Sequence, residues 1–274
     1  MNKHNNITVI IFFIIIFSSL IFYHFYKQEK QGERKIQQIK PEIIQPKPIK
    51  ARVAIVIDDW GYNLNNAHYL EEIKVPLTIA VLPHLPYSSA MSGIARENGK
   101  QVILHLPLES KGNKHPEKNT IYCSMSKNEI TKKFVWVLRG IPGIVGVNNH
   151  QGSKATENAR VMGVILPELK QKNLFFLDSR TTDKSVCADI AKKSGVRYAK
   201  KDIFLDLPSP ALKGEKLRIY IKRQLDKLCE IALKNGYAVG IGHDRKDTLK
   251  VLRNTLPFLE ENGIKVIFVS ELAR

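Results

Sequence analysis

The chain has 274 residues and a formal net charge of +17, from 43 Lys and Arg against 26 Asp and Glu. Its three cysteines, Cys123, Cys187 and Cys229, are widely spaced and odd in number, which excludes a disulfide framework and a CxxC motif. So basic a chain suggests an anionic partner such as a membrane surface, an acidic glycan or nucleic acid, but the lysines are scattered and not interleaved with aromatics, so they are read as a lysine-rich coat on an ordinary surface and no nucleic-acid partner is expected.

From Ile7 to Phe25 no residue is charged. A span of ~20 apolar residues crosses a hydrocarbon layer of about 30 Å as a helix. The run is long and lacks an Ala-x-Ala cleavage site, so residues 1–26 are read as an uncleaved anchor forming one transmembrane helix. Lys27, Lys30, Arg34 and Lys35 follow this segment and only Lys3 precedes it, which by charge alone puts the C-terminal side in the cytoplasm. Glu29 and Glu33 accompany those cations, so charge leaves the orientation open. Residues 27–50 are rich in Lys, Glu and Gln, carry Pro41, Pro46 and Pro48, and cannot bury a core; they read as a linker.

Residues 51–274 are long enough for one α/β domain. Apolar runs predict strands at Val53–Ile57, Leu77–Leu82, Gln101–Leu106, Ile144–Asn148, Leu174–Leu177, Ala238–Ile241 and Lys265–Val269. Between them amphipathic stretches predict helices at Leu64–Ile73, Ser88–Asn98, Lys127–Arg139, Glu157–Lys172, Ser185–Lys193, Glu215–Lys234 and Thr248–Asn262. Strands alternating with helices imply a parallel sheet with crossover helices. About seven such units predict a distorted or incomplete (β/α) barrel, with a doubly wound open sheet as the second choice.

The strands end in polar residues: Asp58-Asp59, then His105 with Glu109 four residues on, Asn148-Asn149-His150, Asp178-Ser179-Arg180, and His243-Asp244. In a parallel barrel these ends share one rim, where catalytic residues gather. The adjacent charges of Asp58 and Asp59 repel unless a cation or a shared proton sits between them. Imidazole and carboxylate are ligands of a zinc-like divalent ion, and a free carboxylate and imidazole beside it serve as base and acid. The plain alternative is that one Asp caps the turn at Trp60-Gly61 and each His is a hydrogen-bonded structural residue. His68, His84 and His115, away from strand ends, are placed in that class. Asp178 and Arg180 either pair across the rim or orient a ligand or the base.

Ile-Asp-Asp-Trp-Gly, His-Leu-Pro-Leu-Glu, Gly-Val-Asn-Asn-His-Gln-Gly-Ser, Phe-Leu-Asp-Ser-Arg-Thr-Thr and Ile-Gly-His together resemble the divergent polysaccharide deacetylase family, over about residues 51–272. The resemblance implies a distorted barrel related to carbohydrate esterases that remove N- or O-acetyl groups. It implies Asp58 as catalytic base, Asp59 and His105 as ligands of a divalent metal, expected to be zinc, and His243 as catalytic acid. The relatives' second histidine, a few residues after the first, is replaced here by the region of Glu109, and His150 on the neighbouring strand is the inferred third ligand. Their Arg-Pro-Pro-type motif is also missing, with Asn148-Asn149-His150 in roughly its place. Asn149, Asp178, Arg180 and Glu109 are the candidates for contacting substrate or steadying the ligands. The expected function is a membrane-tethered deacetylase of an envelope polysaccharide or peptidoglycan-like glycan, its domain outside the cytoplasm, in the periplasm or at the cell surface. The alternative is a catalytically inactive glycan-binding or envelope-assembly protein on the same fold.

Overall fold

The computed structural model describes residues 17–31, 48–112, 115–208 and 211–274. Residues 17–31 form a helix, α1, in the first of the chain's two units, residues 1–46; the second is residues 47–274. Among the described residues no helix is long and apolar enough to cross a membrane. The predicted anchor and linker, residues 1–26 and 27–50, lie in large part outside the described residues.

The second unit contains β1 (Ala51–Trp60), α2 (His68–Glu72), β2 (Thr78–Val81), α3 (Ser88–Glu97), β3 (Gln101–Leu108), α4 (Lys127–Leu138), β4 (Gly146–Gln151) and α5 (Ala159–Gln171). It continues through β5 (Phe175–Asp178), α6 (Cys187–Ser194), β6 (Tyr198–Lys200), β7 (Ile203–Phe204), α7 (Gly214–Asn235), β8 (Tyr237–His243), α8 (Lys246–Thr255) and β9 (Ile264–Ile267). The helix ends follow local chemistry. Ser126 and Glu129 form a reciprocal capping box that starts α4, and Gly195 and Gly236 take the left-handed conformation that ends α6 and α7.

All strand pairs are parallel, in the order β6-β5-β4-β3-β2-β1-β8-β7, with β9 against the start of β1. The two edge strands, β6 and β7, are separated in the chain only by Lys201 and Asp202. Such a link spans at most about 3.5 Å per residue, so the sheet curls until its edges meet. The Lys201 amide donates to Asp178 O on β5 and the Asp202 amide to Val239 O on β8, bridging the seam from both sides. The result is the incomplete barrel rather than the open sheet. Among the described residues nine strands replace the expected seven: β6 and β7 are three and two residues long, too short to show any periodicity.

The strands are buried on both faces, and alternate residues feed two separate cores. Val53, Ile55 and Ile57 of β1 pack outward under the helices, while Ala54 and Val56 face the barrel interior. The interior core also takes Ile103 of β3, Phe175 and Leu177 of β5, and Val239 and Ile241 of β8. This two-residue period decides which rim residues turn into the barrel mouth.

Candidate metal and catalytic site

Counting on by two from the interior core leads to Asp58 after Val56, His105 after Ile103, His243 after Ile241, and Ser179 after Leu177. On β4, Val147 packs outward, which leaves Asn148 and His150 facing inward. Asp59 breaks the count. Between Ile57 and Trp60 three steps of β1 oppose two of β2, a bulge, and Asp59 sits there at φ 68°. That left-handed conformation is uncommon outside glycine. It turns Asp59 to the same side as Asp58, and Trp60 regains the outer core. Asp58, Asp59, His105, His150, Ser179 and His243 line a cleft of about 330 Å³, with Asn149, Gln151, Thr181, Phe204 and Leu207 completing its wall.

Three predicted ligands converge in the cleft. His105 Nε2 lies 3.2 Å from Asp59 Oδ1, His150 Nδ1 lies 3.1 Å from the same oxygen, and the two nitrogens are 3.0 Å apart. Asp59 Oδ1 is buried and has no hydrogen bond, an orphan that calls for a cation. Metal–ligand bonds of about 2.1 Å ask for ligand atoms about 3.4 Å apart around a four-coordinate ion and about 3.0 Å apart around a six-coordinate one. The triangle lies between these values and accommodates either ion. Its donors, two imidazoles and one carboxylate, are a set found at catalytic zinc centres. Burial pushes the Asp59 carboxyl up, but the two imidazoles outweigh it and hold it well below the usual range. Burial pushes His105 down, but Asp58 and Asp59 raise it to about 9.

Asn148 links the candidate ligand His105 to the neighbouring carboxylate. Its amide nitrogen donates to Asp58 Oδ1 at 2.9 Å, and its oxygen accepts from His105 Nδ1 at 2.8 Å. With Nδ1 as the donor, neutral His105 presents its Nε2 lone pair to the triangle. Asp58 is 2% exposed, with Oδ2 3.7 Å from His105 Nε2. Burial raises its carboxyl despite the nearby His105 and His243, the direction that makes a carboxylate a stronger proton acceptor. His243 faces Asp58 in register across the β1–β8 pair. Its Nδ1 donates to Asp206 Oδ1 at 2.7 Å, leaving Nε2 for the cleft. Asp206 is fully buried and also accepts from the His243 amide and the Thr248 hydroxyl. Burial pushes His243 down, but Asp206 outweighs it and the net shift is upward.

The other predicted residues have different surroundings. Asn149 lines the cleft and ties its wall together, donating to Gln151 O and accepting from the Ser179 amide. Asp178 and Arg180 do not pair across the rim. Because Leu177 points inward, Asp178 points outward, where it accepts from Ser185, Tyr198 and the Arg180 amide. The Arg180 guanidinium lies 3.9 Å from Asp183. Glu109 braces the following loop, bonded to Lys154 and the Cys123 amide, away from the ligand triangle. His84 stacks on Trp136, away from the cleft. Asn148, Asp206 and Glu117 were missed by the sequence reading. Asn148 sits in a strand-end triplet that carried a signal, but Asp206 and Glu117 lie in loops with none. Glu117 Oε1 is 4.0 Å from His150 Nε2 and accepts from the Tyr62 hydroxyl.

The sequence matches the family model described as "Divergent polysaccharide deacetylase" over residues 55–273. An uncharacterized protein of Haemophilus influenzae is 32% identical over 225 residues, covering 82% of this chain and 78% of its own. The uncharacterized protein YibQ of Escherichia coli is 33% identical over 205 residues; the match covers 75% of this chain but only 62% of that protein. Among solved structures, the uncharacterized protein ATU2773 of Agrobacterium tumefaciens superposes with a TM-score of 0.75 at 23% identity, over 81% of this chain and 89% of its own, and shares the fold.

Proposed function

We propose that this chain, which belongs to the divergent polysaccharide deacetylase family, is a metal-dependent hydrolase that removes acetyl groups from an envelope glycan. The observation that carries this reading is the triangle of Asp59 Oδ1, His105 Nε2 and His150 Nδ1, with the buried Asp58 carboxylate on one side and the Asp206-supported His243 on the other. The three triangle residues would hold a divalent ion, for which zinc is our choice on the donor set. When bound, the ion supplies a Lewis acid for the acetyl carbonyl and acidifies water.

The protein's own groups do the rest. Asp58, fixed by Asn148, takes the proton from the attacking water at Oδ2. His243 Nε2 gives a proton to the departing amine or alcohol, and Asp206 stabilises the charged ring. Phe204, stacked on His243 with centroids 5.9 Å apart, and Leu207 form the apolar wall of the cleft, suited to an acetyl methyl group and to excluding water. The apolar run from Ile7 to Phe25 supports a membrane tether, and a glycan substrate supports a domain outside the cytoplasm.

The test combines metal content with acetate release. The purified full-length chain is expected to carry one divalent ion. Asp58→Asn is expected to keep that ion and lose about 10²–10⁴-fold in acetate release from N- or O-acetylated glycans, the range for a general base. A metal-loaded wild type that releases no acetate from any of them leaves the glycan-binding alternative.

A further inference from the structure

A second feature lies beside the catalytic cleft and is used by none of the chemistry above. A groove of about 540 Å³ runs along α4, lined by Trp136, Lys132 and Lys133 of the helix, and by Lys118, Asn119 and Met125 of the loop before it. Residues 129, 132, 133 and 136 recur at i, i+3, i+4 and i+7 and form one helix stripe. Trp136 is 46% exposed, an unusual position for the largest apolar side chain. The indole is nonetheless fixed. His84 stacks on it with centroids 3.7 Å apart and planes 15° apart, and His84 Nε2 donates to Trp136 O at 3.1 Å. His84 is itself held at φ 57°, and a Cβ at Gly140 would lie 3.0 Å from its ring. His84 is not among the groove residues, so the indole turns its other side to the groove.

The groove carries three lysines against one acid. Lys118, Lys132 and Lys133 make no ion pair among the described residues. The one acid in the lining, Glu129, accepts from the Ser126 amide in the capping box. The groove also adjoins the catalytic cleft: Lys118 and Asn119 directly follow Glu117, whose carboxylate faces the His150 ring. Asn119 donates to Pro83 O, tying the loop to the His84 platform.

We infer that this groove is a subsite for an anionic glycan, holding the sugars next to the one in the catalytic cleft, with Trp136 stacking against a sugar face and the three lysines meeting carboxylates. This rests on the deacetylase reading and names the substrate class it takes. A rigid aromatic face binds a sugar ring at low entropic cost, and three ammonium groups against the single Glu129 carboxylate favour negatively charged over neutral chains.

The chain has two tryptophans, and Trp60 is fully buried, so a change in tryptophan emission on titration reports Trp136. The full-length chain in neutral detergent is titrated with an N-acetylhexosamine hexamer bearing lactyl carboxylates, with the neutral hexamer, and with anionic lipid vesicles. The anionic hexamer is expected to shift the emission and bind tighter than the neutral one, with a preference that shrinks as salt rises. Trp136→Ala, monitored by isothermal calorimetry, is expected to weaken hexamer binding about tenfold, as truncating an aromatic anchor does, with Trp136→Phe recovering part of it. Lys132→Glu with Lys133→Glu at the helix surface is expected to abolish the preference for the charged hexamer. Acetate release from a single acetylated sugar is expected to be unchanged in all three variants. Equal binding of both hexamers, undiminished binding by Trp136→Ala, or a response to vesicles alone overturns the subsite while leaving the deacetylase reading intact. Binding as expected without acetate release overturns the deacetylase reading while the subsite stands.

Discussion

Asp206 shows how much a single side chain contributes through its neighbour. Three donors, the His243 ring, the His243 amide and the Thr248 hydroxyl, converge on its buried carboxylate, so the imidazole is held in one orientation and one tautomer. The consequence is a pH dependence whose sign is fixed. An acid works while protonated, and the raised His243 keeps its proton to higher pH; with His243 as the proposed acid, activity is expected below the His243 pKa and is expected to be lost as pH rises through it. Asp206→Asn removes the opposing charge, so the alkaline limb of the kcat profile is expected to move to lower pH. His243→Ala sets the scale of the full loss, about 10²–10⁴-fold for a general acid. An unmoved alkaline limb in Asp206→Asn, measured as kcat against pH, removes His243 from the acid role. Asn148 works in a similar way from the other side, one amide fixing both the Asp58 carboxylate and the His105 ring.

At the scale of elements, strand phase decides the site. Reading only the apolar runs, β5 ends in a carboxylate as β1 does, and Asp178 is expected to pair with Arg180 across the rim or to orient a ligand or the base. The phase differs: Val56 is interior and places Asp58 inside, whereas Leu177 is interior and places Asp178 among the helices. Both faces of these strands are apolar, so no hydrophobic alternation in the sequence reveals which face is which. The bulge in β1 is equally silent, since Asp59 takes its left-handed conformation with no neighbouring glycine except Gly61. The β4–β5 pair depends on a glycine for a different reason. A Cβ at Gly146 would lie 2.5 Å from the ring of Phe175, which fills the interior core. Gly146→Ala is expected to destabilise the domain by about 1–3 kcal/mol, the usual cost of overpacking, read as a lower urea midpoint at unchanged slope.

Across the whole molecule, the ligand triangle joins three strands, β1, β3 and β4, at the mouth of a barrel whose seam is closed by only two residues, Lys201 and Asp202. An ion held there binds the folded state and has no matching site in the unfolded chain, so it stabilises by mass action. At free ion a hundredfold above its Kd this amounts to about 2.7 kcal/mol, or about 5–10 °C in Tm for a domain of this size. Chelator is expected to lower Tm by that amount in calorimetry, and to have no effect on His105→Ala. An equal chelator effect on both proteins rules out the triangle as the binding site.

By itself the sequence determined that short apolar strands alternate with helices and that carboxylates and imidazoles follow several of them. Those features are local: β-branched runs specify strands, and charge is expelled to the ends of strands buried on both faces. Asp58, Asp59, His105, His150 and His243 were legible for that reason. The tertiary structure alone decided the phase that excludes Asp178, the bulge that turns Asp59 inward, the loop that brings Asp206 beneath His243, and the meeting of β6 with β7. Each of these depends on contacts between segments far apart in the chain, and side-chain direction at a rim is set by how the sheet curls, which no single strand encodes.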